Sequence, residues 1–131
     1  KTLSVKKQSQ GEDDMPLLTD GNRFLVDQLN SRINQVVFGF DGTVATSEDG
    51  GAGRPAYTAV PTTRIVDDHT IYVEAVLPLS SAFTLPLREV CIQYQNPSDA
   101  TDTTVLFRYT FQSVSKTSNN ELRFATIIEV N

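Results

Sequence analysis

The chain has 131 residues, enough to close one ordinary domain, and 39% of them are hydrophobic against 21% charged, which is a composition that can form a core. The net charge is −5 with the basic residues scattered along the chain, which argues against binding a phosphate backbone, and no apolar run approaches the roughly 18 residues needed to cross a bilayer. The single cysteine, Cys91, excludes an internal disulfide, and no basic stretch followed by an apolar one suggests a signal peptide.

Residues 1–16 are polar and end in Gly-Glu-Asp-Asp-Met-Pro. They read as an extended arm with no core of its own, ordered by a neighbour if at all. The acidic run Glu12-Asp13-Asp14 reads as a solvated linker. In "LLTDGNRFLVDQLNSRI", Thr19 or Asp20 can cap the free amides of a helix start. Leu25, Leu29 and Ile33 then recur every four residues with Phe24 beside them, predicting one helix over 20–31 whose first turn holds Gly21.

Beyond the helix the hydrophobic period falls to two, predicting strands over 34–40, 58–66, 69–77, 84–95, 103–112 and 121–130. Ile71, Val73, Ala75 and Leu77 share one face, as do Val90, Ile92 and Tyr94, and as do Val105, Phe107, Tyr109 and Phe111. Leu122, Phe124, Ile128 and Val130 share another, with Thr126 between them. Such alternation belongs to sheets with one side on a core. Asp67-Asp68-His69 and "NPSDATD" suit hairpin connections, while Pro61 and Pro86 demand edges, bulges or strand starts because proline lacks the ladder donor. No helical segments alternate with the strands, so parallel βαβ units are not expected. The fold class implied is mainly β, an antiparallel sandwich or sheet with one N-terminal helix and an extended arm.

The glycine-rich stretch 41–57 is the longest irregular segment, and a loop of that length in a small domain is functional or disordered. It follows "VVFGFDGT", which is close to the nucleophile loop of aspartyl-phosphate phosphatases. That chemistry needs one carboxylate to attack phosphorus and a second, two residues on, as acid and base. Asp41 fills the second position, but the first is Gly39, so a strand running into a turn is the better reading. Asp67, Asp68 and His69 are too few for a zinc site without help from elsewhere. His69 is the only histidine and nothing places it beside Cys91, so neither a nucleophile–base pair nor a reactive thiol is expected. Asp41, Thr43, Ser47, Glu48 and Asp49 lack the regular spacing of a calcium loop. Glu74 and Glu89 sit on strands among ordinary positions and do not form a glycosidase pair by any sequence signal. No catalytic residue, metal site or cofactor is therefore expected. A ligand-contact role for the loop would fall on Asp41, Arg54 and Tyr57, the last as one of four tyrosines able to stack on sugars.

Taken in order, these segments resemble the N-terminal domain of bacteriophage tail-collar fibre proteins. The helix start matches at Leu18, Thr19 and Gly21, and the strand ending in glycine at "VVFGFDG". "IYVEAVLP" and "TLPLREVCIQY" match the next two strands, with Arg88 and Glu89 at the family's Arg-Glu pair. "VLFRYTFQSVSKTSNNELRFATIIEV" matches the closing pair, with Lys116 at the family's lysine. The likeness covers about residues 17–130, making 17–131 the domain and 1–16 the arm. Cys91 departs from it, standing where the family has glycine.

The resemblance implies a non-enzymatic virion protein that attaches a fibre to the tail or baseplate. It implies a homo-oligomer, often a trimer, with other tail or baseplate proteins as partners and Thr19, Gly21, Gly39, Arg88, Glu89 and Lys116 as structural positions. In such proteins a fibre shaft follows the domain. A sugar-binding receptor module and a capsid decoration protein are the alternatives. Arg88 and Glu89, being adjacent on a strand, point to opposite faces and are not expected to pair with each other. Two readings stand level: a buried or interfacial ion pair of one of them, such as Arg88 with a carboxylate of a neighbouring strand, and a surface pair worth under about 1 kcal/mol.

Overall fold

In a computed structural model of the chain, residues 2–5, 19–46 and 48–130 are described. The fold is mainly β with one helix, as the alternation implied. Strand β1 (Thr2–Val5) precedes helix α1 (Thr19–Arg32), and then come β2 (Gln35–Gly39), β3 (Pro55–Ala59), β4 (Thr62–Asp67), β5 (Thr70–Leu77), β6 (Leu87–Gln95), β7 (Thr103–Val114) and β8 (Leu122–Val130). They form two four-stranded sheets, ordered β1-β8-β5-β4 and β3-β2-β6-β7. The acidic run Glu12–Asp14 lies outside the described residues.

The chain divides into two compact units. The first comprises residues up to Arg32, Thr62–Glu74 and Ala125 onward. Here β4 and β5 form the antiparallel hairpin expected at Asp67-Asp68-His69, with the His69 amide donating to Asp67 Oδ1 at 2.8 Å. The strand at the start of the arm was not expected: Thr2–Val5 pairs in parallel with Ile127–Val130. α1 carries acidic Asp20 in its first turn and basic Arg32 in its last, matching the helix dipole. It is tied to β4 by the Thr63 hydroxyl, which donates to the Asn30 carbonyl at 3.2 Å. Its buried side chains are Asn22 and Val26, while Phe24 and Leu25 are exposed. Of the expected Leu25-Leu29-Ile33 stripe, Leu25 is exposed, Leu29 is half-buried and Ile33, just past the helix end, is buried.

The second unit comprises Ile33–Pro61 and Ala75–Phe124. The expected strand 58–66 is split at Pro61 into β3 and β4, which belong to different sheets. Pro86 directly precedes β6, where its missing donor costs nothing. In β2-β6-β7 the cross-strand partners assign two faces. One holds Val36, Phe38, Val90, Ile92, Phe107 and Tyr109. There Phe124 meets Phe38 edge-on at 6.1 Å and Tyr109 at 5.8 Å between ring centroids. The other face holds Val37, Gly39, Glu89, Cys91 and Arg108.

Two expectations fail on this sheet. A bulge shifts the β6–β7 register between Ile92 and Gln93, so Val105 pairs with Gln93 and leaves the face of Phe107 and Tyr109. And β6 is buried on both sides: Glu89 and Cys91 are as buried as Val90 and Ile92.

Candidate functional site: a loop clasped by a buried ion pair

What covers the second face of β6 is the segment that follows β2. Glu89 is fully buried, and a carboxylate without water must find donors within the protein. It finds four. Oε2 accepts from the backbone amides of Asp41 at 2.8 Å and Arg54 at 2.9 Å; Oε1 accepts from the Gly53 amide at 2.8 Å and from Arg108 Nε at 3.0 Å. Both ends of the loop are therefore fastened to one side chain.

Arg108, on β7 opposite Cys91, is 4% exposed and uses the rest of its guanidinium on the same loop. Nη1 donates to Asp49 Oδ2 at 2.9 Å and to the Thr43 carbonyl at 3.1 Å, and Nη2 donates to the Asp41 carbonyl at 3.1 Å. Within the loop, Asp41 Oδ1 accepts the Thr43 amide and Asp49 Oδ2 the Thr46 amide, closing two short turns.

Glycine is required where the chain comes closest. A Cβ on Gly39 would lie 2.5 Å from Glu89 Oε2 and 2.6 Å from the Arg54 carbonyl oxygen; one on Gly53 would lie 2.0 Å from Asp41 Oδ2. The Gly39 that removes the phosphatase nucleophile is thus a space made for the Glu89 carboxylate.

The titration of these groups follows from the geometry. Burial is the largest influence on Glu89 and opposes its ionisation, but the amides of Arg54, Asp41 and Gly53 together with Arg108 outweigh it and hold the carboxyl below the ordinary glutamate value. For Arg108 burial acts against the charge, and the hydrogen bonds to Glu89 and Asp49 overcome it and raise its pKa. Asp41 is lowered by its hydrogen bonds from Thr43, and Asp49 by the Thr46 amide. Cys91 is pushed up to about 11 by burial and by the neighbouring Glu89 charge, so its thiol stays protonated at neutral pH.

Of the residues singled out from sequence, the structure brings together Gly39, Asp41, Arg54 and Glu89. Arg88 is exposed, and the carboxylate–arginine pair is made instead by Glu89 with Arg108, because it is Glu89 whose face the loop covers. Tyr57 lies on β3 opposite Phe38, half-buried. Thr19 and Gly21 form the first turn of α1 in the other unit. Lys116 is fully buried between β7 and β8. Its ammonium donates to the carbonyls of Ser81 and Thr117, and its own carbonyl accepts the Phe83 amide at 3.0 Å. Sequence reasoning missed Arg108 and Gly53, and weighed Asp49 only as part of a calcium loop. The signal for Arg108 was present: it is a lone charge inside the apolar run "VLFRYTF".

Comparison with protein-family models, curated proteins and solved structures gives no match. The resemblance to tail-collar fibre domains rests on the motifs quoted above.

Proposed function

We propose that the chain is a structural attachment domain of a bacteriophage tail, acting in the virion as a homo-oligomer that docks a fibre onto tail or baseplate proteins, without catalysis. The observation that supports this most is where the motif positions lie. Three of the residues matched to the tail-collar pattern, Gly39, Glu89 and Lys116, are buried, and Gly39 has no room for a side chain. A buried carboxylate filled by three amides and a guanidinium, and a buried ammonium spent on two carbonyls, stabilise a shape. The shape they stabilise is a fixed loop on a sheet, the kind of rigid relief by which subunits recognise one another.

The test is assembly. Light scattering on the purified chain at micromolar concentration should give an oligomer, and particles assembled in its presence should incorporate it. A strict monomer that fails to enter particles overturns the proposal, as does turnover of a phosphate ester or glycoside.

A further inference from the structure

The arginines of the chain differ in what they hold. Arg23 pairs with Asp27 and Asp68, Arg32 bonds Gln28, Arg108 holds the loop, and Arg123 pairs with Glu121. Arg64 lies over the Tyr72 ring, 4.8 Å from its centroid. Arg54 and Arg88 make no side-chain hydrogen bond or ion pair among the described residues, and these two line the same surface pocket, a space of about 250 Å³ completed by Phe40, Leu85 and Pro86. Their backbones are held in place: the Arg54 amide is bonded to Glu89 Oε2, and Arg88 precedes Glu89 in β6. The Arg54 guanidinium sits 5.9 Å from the centre of the Phe40 ring, and the Arg88 stem lies against Gly42.

Two unpaired guanidinia beside three apolar side chains, in a molecule of net charge −5, select a ligand with carboxylates next to apolar groups. The densest acidic run of the chain has that order: Glu12-Asp13-Asp14 followed directly by Met15-Pro16-Leu17. We propose that this pocket receives residues 12–16 of a second copy of the chain. Carboxylates of the acidic run meet Arg54 and Arg88, and Met15 and Pro16 meet Phe40, Leu85 and Pro86. The inference rests on the assembly role proposed above and names one contact of it.

A charge exchange in the full chain tests it. Arg54 and Arg88 are exposed, so R54E/R88E keeps the fold, checked by an unchanged thermal midpoint. R54E/R88E and E12K/D13K/D14K, each alone, should weaken self-association at least about tenfold by sedimentation, since charge-assisted contacts are lost and like charges are brought together. The chain bearing both sets should recover association towards wild type. If wild type associates and neither variant changes it, the contact is wrong while the assembly role stands. If wild type is a monomer throughout, the assembly role fails and the contact falls with it. If R54E/R88E associates normally but loses binding to acidic glycans on an array, the pocket serves a sugar and the proposed occupant is wrong.

Discussion

Two arginines in this chain each bridge more than one carboxylate, and their surroundings are opposite. Arg108 joins Glu89 and Asp49 with its side chain 4% exposed and that of Glu89 at 0%. Arg23 joins Asp27 and Asp68 with all three side chains about half exposed. The distances are alike, 2.9–3.0 Å in the first cluster and 3.1–3.2 Å in the second. What differs is the alternative open to each partner if the other is lost. Water can solvate Asp68, whereas nothing but protein can reach Glu89. A contact of similar length is therefore optional on α1 and obligatory under the loop.

The largest effect should come from Glu89→Ala. It leaves three backbone amides and the Nε of the buried Arg108 without an acceptor, and the cost expected is about 3–5 kcal/mol in denaturant unfolding. Loss of protease protection across residues 41–54 should accompany it. A loss no larger than that of an exposed pair would break the contrast.

Gly39→Ala comes next, at about 1–3 kcal/mol, because the added methyl must displace both the Glu89 carboxylate and the Arg54 carbonyl. Gly50, against which nothing lies within 4 Å, is the control in the same segment, and Gly50→Ala should leave the thermal midpoint nearly unchanged. Equal effects at the two glycines would show that the loop is not clamped at β2.

A smaller effect belongs to acid. The folded pKa of Glu89 is depressed, so its contribution is fully present above its unfolded value of about 4.3 and is lost as pH falls from there through the depressed folded value. Asp41 and Asp49 act in the same direction. Thermal midpoints measured against pH should therefore fall steeply on the acid side in wild type, and less steeply in Glu89→Gln, which starts lower but has one fewer proton to take up. Parallel acid limbs would assign the loss to other carboxylates.

The smallest effect is expected at Arg23→Ala, whose removal should shift the thermal midpoint by no more than the error of measurement and should do so equally at low and high salt.

Most strands and two hairpins were legible because alternation and turn composition are local properties. "TIYVEAVL" buries every second residue as its spacing implies, and Asp67-Asp68-His69 makes the hairpin its turn residues favour. The helix was legible as a helix, but its buried side only in part: Ile33 is buried and Leu29 half-buried as expected, whereas Asn22 and Val26 face inward while the larger Phe24 and Leu25 stay in solvent. Strand β1 carried no signal above the polar arm around it, since a parallel pair with β8 depends on where β8 already lies. The site was half legible. Glu89 and Gly39 stood out through a motif, but the ion pair was looked for at Arg88 and is made at Glu89, and its partner Arg108 was hidden within an apolar stripe.

By itself the amino-acid order settled that this chain alternates into β-strands, where proline must interrupt them, and that Arg88 and Glu89 face opposite ways. Those are consequences of backbone geometry within a few residues. Only the tertiary structure decided that residues 41–54 fold back over β6 and that Glu89 therefore loses water. The charge of Arg108, nineteen residues further on, then becomes the one able to answer it. Burial is a property of what covers a residue, and no local pattern states what will come to cover it.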